Sequence, residues 1–234
     1  MNTNRILDWE GCLNVRDLGG LSAGKGWVTR WGAVVRSDTP ARLTAAGWSA
    51  LYAHGIRTII SLRTDGPEAI LRQLKDENMP DAAPRPPDVT TLPLAIEDLG
   101  DTEFLKKWAV TDLWGTPLYY ADALRRWPQR HAAVMRAIAQ ARPGGVLFHC
   151  IRGHDRTGLI ALLLLALAGV APDDILADYE LSVDPARDAL LAREGKSTRE
   201  VILSTLADFD TDAYLREGGL SPADLAALRA RLLT

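Results

Sequence analysis

The chain predicts an α/β fold with a central, mostly parallel sheet flanked by helices and a helical C-terminal region. Three observations carry that prediction. Short β-branched or apolar runs, clearest in Arg57-Thr58-Ile59-Ile60-Ser61-Leu62 and Val146-Leu147-Phe148, read as buried strands. Segments with helical caps and periodicity separate them, the alternation of a parallel sheet with crossover helices. Beyond Gly169 every apolar segment reads as helix, and no internal repeat or low-complexity tract interrupts the pattern.

Taken in order, Asn14 to Leu21 ends in paired glycines and, with Gly24 and Gly26 following, predicts an early strand and a tight hairpin. Residues 31–37 predict the next strand. Thr44 is placed as a helix N-cap, with Leu43 and Trp48 as a hydrophobic staple and Gly55 as the stop. The strand at 57–62 follows, then a second helix opened by Pro67 and running to about Lys75. Pro80, Pro84, Pro86 and Pro87 make 79–88 an extended loop, and 89–94 is a third strand. From Thr102 the pattern turns helical: Thr116-Pro117 is a cap and first turn for 118–127, and another helix covers 128–141. Pro143-Gly144-Gly145 breaks the chain before the central strand. Further helices are expected at 172–181, 185–193, 197–206 and 223–233, the last capped by Ser221-Pro222 with Leu220 and Leu225 as a staple. The 234 residues are expected to form one domain, in which 171–234 either completes the core or acts as a lid.

Hydrophobic content of 47% and charged content of 24% are those of a soluble globular protein. A net charge of −3 gives no global attraction to nucleic acid, so no nucleic-acid partner is expected and any affinity for phosphate must be local. Two cysteines, Cys12 and Cys150, are too few for a disulfide framework and suit a reducing, cytoplasmic setting; Cys12 reads as a small buried residue. Residues 1–10 lack the basic and apolar regions of a signal peptide. The most apolar segment, 158–170, falls short of the ~20 residues a membrane span requires, so no stable membrane insertion is expected.

The chemistry concentrates in His149-Cys150-Ile151-Arg152-Gly153-His154-Asp155-Arg156-Thr157-Gly158, between an apolar strand and an apolar helix. Where a loop runs into a helix, its N–H groups lack intrahelical partners and the helix dipole adds positive charge, so the site welcomes an anion such as phosphate. A thiol at Cys150, set among such donors, ionises more readily than a free cysteine and becomes a nucleophile. The planar, permanently charged guanidinium of Arg156 can hold two phosphate oxygens at once. Gly153 permits a backbone angle and a close phosphate approach that a side chain would obstruct. Thr157 can cap the helix, hydrogen-bond the Cys150 sulfur, or both. His149 reads as a supporting residue bonded to backbone rather than as a base.

Cys-x5-Arg-Thr, preceded by His149 and followed by Gly158, resembles the signature of the cysteine-dependent protein tyrosine phosphatases. The Cys-x-x-Gly-x-Asp-Arg-Thr form is similar to a bacterial branch of atypical tyrosine and dual-specificity phosphatases, some of which resemble lipid phosphatases in activity. Asn14-Val15-Arg16-Asp17-Leu18-Gly19-Gly20 and Arg36-Ser37-Asp38 extend the likeness to about residues 10–170. The resemblance implies a protein tyrosine phosphatase-like fold and hydrolysis of phosphomonoesters through a phosphocysteine on Cys150, with neither metal nor cofactor. It also implies a phosphorylated substrate bound by Arg156 and by Ile151, Arg152, Gly153, His154, Thr157 and Gly158. Many tyrosine phosphatases carry the leaving-group acid on a Trp-Pro-Asp loop, a string this chain lacks. In the similar branch an aspartate at the position of Asp155 serves as acid and then as base; Asp98, Asp101, Asp112 and Asp122 are the distant alternatives. His154 departs from relatives that carry lysine there, which weakens the case for highly anionic phosphoinositides, and Arg152 partly offsets it. Arg63, Arg16, Asp17 and Asn14 either line the pocket, as the likeness implies, or serve as ion-pair and turn residues.

The substrate class implied is phosphotyrosine with a possible broader range. Rival readings are a phosphatase of a small nucleoside, sugar or inositol phosphate, a rhodanese-type sulfurtransferase, and a catalytically silent phosphate-binding module.

Overall fold

In the computed structural model the described residues are 5–63, 83–207 and 209–234. Five strands form one sheet in the order β1-β2-β5-β3-β4: β1 Arg16–Asp17, β2 Val34–Ser37, β3 Ile56–Ser61, β4 Thr90–Pro93 and β5 Gly145–His149. β1 runs antiparallel to β2, and every other pairing is parallel. β5 is therefore the central strand, flanked by β2 and β3. Its five residues are all buried, which is why its sequence is a continuous apolar run rather than an alternating one.

The helices are α1 Ala45–Ala53, α2 Thr102–Trp108, α3 Tyr120–Arg126, α4 Pro128–Gln140, α5 Asp155–Ala168, α6 Pro172–Glu180, α7 Pro185–Arg193, α8 Thr198–Leu206, α9 Thr211–Glu217 and α10 Pro222–Leu232. Thr44 caps α1 by accepting from Gly47 N–H, Asp101 caps α2, and Ser221 with Asp224 forms a capping box on α10. Thr116 accepts from Leu118 N–H but opens a short 3₁₀ turn, Pro117–Tyr119, ahead of α3. The early strand shrinks to two residues, because after Asp17 the chain turns away and its side chain accepts from Gly19 and Gly32 N–H instead. The expected helix at 67–75 lies outside the described residues.

One apolar cluster lies on the α5 face of the sheet, joining Val34, Ile60, Val146 and Phe148 to α3, α4, α5 and α6, with Leu215, Leu225, Leu228 and Leu232 of α9 and α10 packed into it. A smaller one, with Trp9, Trp48, Val35, Ile59 and Leu147, closes the α1 face. Alternate residues of β2, β3 and β5 point to opposite faces, so both clusters clamp the same strands. That clamping fixes the C-terminal edge of β5, where the ten-residue loop motif begins. Among the described residues no helix is long and apolar enough to cross a membrane.

Candidate active site

The strand-loop-helix order is present: β5 ends at His149, residues 150–154 make a tight loop, and α5 begins at Asp155. Gly153 sits at φ +71°, and a Cβ there would lie 2.6 Å from both Ser37 O and Asp38 N, so the turn against β2 admits only glycine. The loop carbonyls face outward and each has a donor. Leu62 N–H reaches His149 O at 2.9 Å, and Thr39 N–H reaches Ile151 O at 2.9 Å. Asn14 Nδ2 donates to Arg152 O at 2.9 Å, Arg36 Nη2 to Gly153 O at 2.8 Å and Tyr120 Oη to Asp155 O at 2.7 Å. His149 Nδ1 lies 2.8 Å from Cys150 O; a carbonyl only accepts, so that nitrogen carries the proton. Burial lowers the His149 pKa to about 4, so the ring is neutral. Among the described residues, the N–H groups of 151–156 donate to no protein acceptor. Carbonyls out and N–H groups in make an anion-binding nest at the head of α5.

Cys150 is a buried free thiol at the mouth of that nest. Arg156 is the second residue of α5, with its Nε 3.5 Å from Glu97 Oε2 and its guanidinium 5.6 Å from the Trp114 ring centroid. Burial is the largest influence and works against the Arg156 charge, but Glu97, Cys150, Tyr119 and Asp155 together outweigh it and hold the guanidinium above its ordinary range. Glu97 is itself raised by burial, with Arg156 opposing, and also accepts from Trp114 Nε1 at 3.1 Å. Glu97 was not singled out from the sequence; the only signal is its place directly after the apolar run Leu94-Ala95-Ile96 beyond a predicted strand.

Asp155 opens α5 with its Oδ1 buried and lacking a hydrogen-bond partner among the described residues. Burial pushes its pKa up to about 7, against the pull of Arg156 and Arg187. A carboxyl in that range exchanges protons at neutral pH. The distant aspartates are engaged elsewhere: Asp98 accepts from Gly100 N–H and Arg130, Asp101 caps α2 and pairs with Arg126, and Asp112 holds a left-handed turn. Asp122 accepts from Trp108 Nε1 and pairs with Arg125 and Arg126.

Several expected contacts take a different form. Thr157 is the third residue of α5 and its Oγ1 is buried without a partner among the described residues, so it neither caps the helix nor bonds the Cys150 sulfur. Gly158 N–H is taken by His154 O at 2.7 Å, which removes it from phosphate binding; a Cβ there would meet Tyr179 and Tyr120 at 2.6 and 2.7 Å, so the glycine lets α5 pack on those rings. His154 Nδ1 lies 3.2 Å from Asp184 Oδ2, yet burial lowers its pKa to about 4, and it brings no charge at pH 7. Arg152 is the exposed cation of the loop, 3.3 Å from the same Asp184. Asn14 reaches the loop, whereas Asp17 and Arg16 are buried in turn and ion-pair contacts. Arg63, also buried, is close enough to influence both His149 and Glu97. Cys12 is part-buried, its thiol 3.6 Å from Thr39 O and pushed up by burial. Among the described residues no group of three or more His, Cys, Asp or Glu is arranged to hold a metal ion.

Comparison with known proteins matches residues 7–234 to the sequence model of the tyrosine phosphatase family. A candidate tyrosine-protein phosphatase of Cupriavidus necator is 34% identical over 174 residues, covering 74% of this chain and 61% of that protein. A tyrosine-protein phosphatase of Nostoc commune is 35% identical over 161 residues, covering 64% of this chain and 48% of its own length. The triple specificity protein phosphatase PtpB of Mycobacterium tuberculosis is 29% identical over 201 residues, covering 76% and 70%. The chain thus spans less than two thirds of the length of the first two relatives. The crystal structure of TpbA from P. aeruginosa aligns over 81% of this chain and 88% of that one at 19% identity, with a TM-score of 0.45. With the family match running through the nest, Cys150 and Arg156 to the end of α10, the chain belongs to the tyrosine phosphatase family.

Proposed function

We propose that the protein is a phosphomonoester hydrolase, most directly a protein tyrosine phosphatase, that works through a phosphocysteine on Cys150. The observation that carries this reading is the nest: among the described residues the N–H groups of 151–156 are free of protein acceptors around a buried thiol, with Arg156 beside them. Those amides and Arg156 bind the phosphoryl oxygens and stabilise the charge as it spreads in the transition state. The Cys150 sulfur attacks phosphorus while the bond to the leaving oxygen breaks, and Asp155 gives that oxygen its proton. Water then attacks the phosphocysteine, the same carboxylate takes its proton, and inorganic phosphate leaves. Glu97 holds the plane of Arg156 between itself and Trp114.

Membership of the family supports phosphotyrosine as substrate class, and the names of the relatives support activity on phosphoproteins. The exposed Arg152 adds local positive charge at the mouth of a chain whose net charge is −3, which supports an anionic partner without nucleic acid. Both cysteines standing as free thiols support a reducing, cytoplasmic setting. Residues 1–234 act as one catalytic domain in this reading.

The test is hydrolysis of p-nitrophenyl phosphate and of a phosphotyrosyl peptide. The expected result is that the chain hydrolyses both and that Cys150→Ser loses turnover while still binding inorganic phosphate. Turnover that persists in Cys150→Ser refutes the mechanism.

A further inference from the structure

A loop that turns every N–H toward a phosphate must turn its carbonyls into the protein, and a buried carbonyl without a donor costs about 1–3 kcal/mol. At Arg152 and at Gly153, whose φ is positive, those donors are side chains rather than backbone: Asn14 Nδ2 at 2.9 Å and Arg36 Nη2 at 2.8 Å. Both are aimed from α6 and the residues just after it. Arg36 Nη1 donates to Asp178 Oδ2 at 2.6 Å, so one guanidinium spans Asp178 and the loop. Asn14 Nδ2 also reaches Ser182 Oγ at 3.2 Å, and Arg16 ties Asn14 Oδ1 to that hydroxyl, donating to Ser182 Oγ at 2.7 Å and to Asp178 O at 2.9 Å.

The cluster is unbalanced in charge. Arg5, Arg16 and Arg36, each no more than 6% exposed, all meet the single carboxylate of Asp178, itself 1% exposed. Burial would raise the Asp178 pKa, but Arg36, Arg16 and Arg5 outweigh it and hold it down to about 2. Burial and the neighbouring Arg36 pull Arg16 down to about 9, still charged at neutral pH. Positive charge of this kind, shielded from water, acts strongly over the width of one peptide group. The excess positive charge backs the carbonyl side of the loop, where Arg36 meets Gly153 O.

We infer that Asp178, Arg36 and Asn14 are positioning residues for the phosphate-binding loop: Asp178 aims Arg36 at Gly153 O, Asn14 holds Arg152 O, and together they keep the intervening N–H groups turned toward the substrate. This inference rests on the phosphatase reading for its substrate but not for its test.

The decisive measurement is phosphate affinity in a Cys150→Ser background, by calorimetry, for the parent, Asn14→Ala and Arg36→Lys. Lysine keeps the charge of Arg36 but cannot span Asp178 and Gly153 O at once. Each variant is expected to retain its circular dichroism spectrum and to bind phosphate five- to tenfold more weakly. In the Cys150 chain the same changes raise KM for p-nitrophenyl phosphate by a similar factor and move the pH profile of Cys150 alkylation by iodoacetamide, a readout that a purely structural role leaves alone. Asn14, partly exposed, decides the matter if Arg36→Lys fails to fold. A folded Asn14→Ala with unchanged phosphate affinity and unchanged alkylation profile overturns the inference. If no phosphate ester is hydrolysed, the proposed function fails while the affinity comparison still decides the positioning role.

Discussion

The two acids near Arg156 differ in what they can do. Glu97 has a committed partner at 3.5 Å and a second in Trp114, whereas the Oδ1 of Asp155 has none among the described residues. An acid raised to about 7 and unpaired suits proton transfer, and a paired one suits orientation. Asp155→Asn is therefore expected to lower kcat on alkyl phosphates by about 10²–10⁴-fold and much less on p-nitrophenyl phosphate, whose leaving group needs little help. The decline of wild-type kcat above pH 7 should vanish in the variant; equal rates on an alkyl phosphate contradict the role. Stability carries the same signature. Folding raises the Asp155 carboxyl from 3.8 to about 7, so its favourable contribution is complete below about pH 4 and is lost as pH rises through 7. Urea midpoints should show wild type falling relative to Asp155→Asn between pH 4 and pH 8. Glu97→Gln should chiefly raise KM, because Arg156 loses its aim rather than its charge; an unchanged KM contradicts that assignment. Cys150, Asp155 and Arg156 were legible because their spacing is local. Glu97 was not, because its contact with Arg156 crosses 59 positions of sequence.

At the scale of elements, the strands and helices that hold the site followed from capping residues and apolar runs, since those are local signals. The misjudged pieces are ones that a partner decides. β1 is cut to two residues by the turn contacts of Asp17, and Thr157 is drawn inside α5 because the helix starts at Asp155. Arg16 and Arg36 carry no local sign of sharing a carboxylate on α6, which lies more than a hundred residues away. Gly153 is the element-scale test of the turn between β5 and α5. Gly153→Ala must relieve contacts of 2.6 Å with β2 backbone at a positive φ, and is expected to cost about 1–3 kcal/mol and to weaken phosphate binding at least tenfold. Calorimetry and thermal melting check both; a variant with wild-type affinity contradicts the account of the loop.

At the scale of the whole molecule, the region after α5 serves the site from behind and from the side. α6 supplies Asp178, the turn after it supplies Ser182 and Asp184, and α9 and α10 bury Leu215 and Leu228 against the same core that clamps β5. Leu228→Ala is expected to lower stability by about 2–5 kcal/mol, with circular dichroism and activity lost in one transition. Activity that outlasts the melting of the C-terminal helices contradicts this coupling.

The central claim is that the anion nest delivers a phosphoryl group to the Cys150 sulfur. Mass spectrometry of acid-quenched Asp155→Asn during turnover of p-nitrophenyl phosphate tests it most directly, because loss of the base slows the second step and lets the intermediate accumulate. The account predicts one phosphoryl group per chain, on Cys150. Steady turnover with Cys150 unmodified, or phosphate on another side chain, would contradict it.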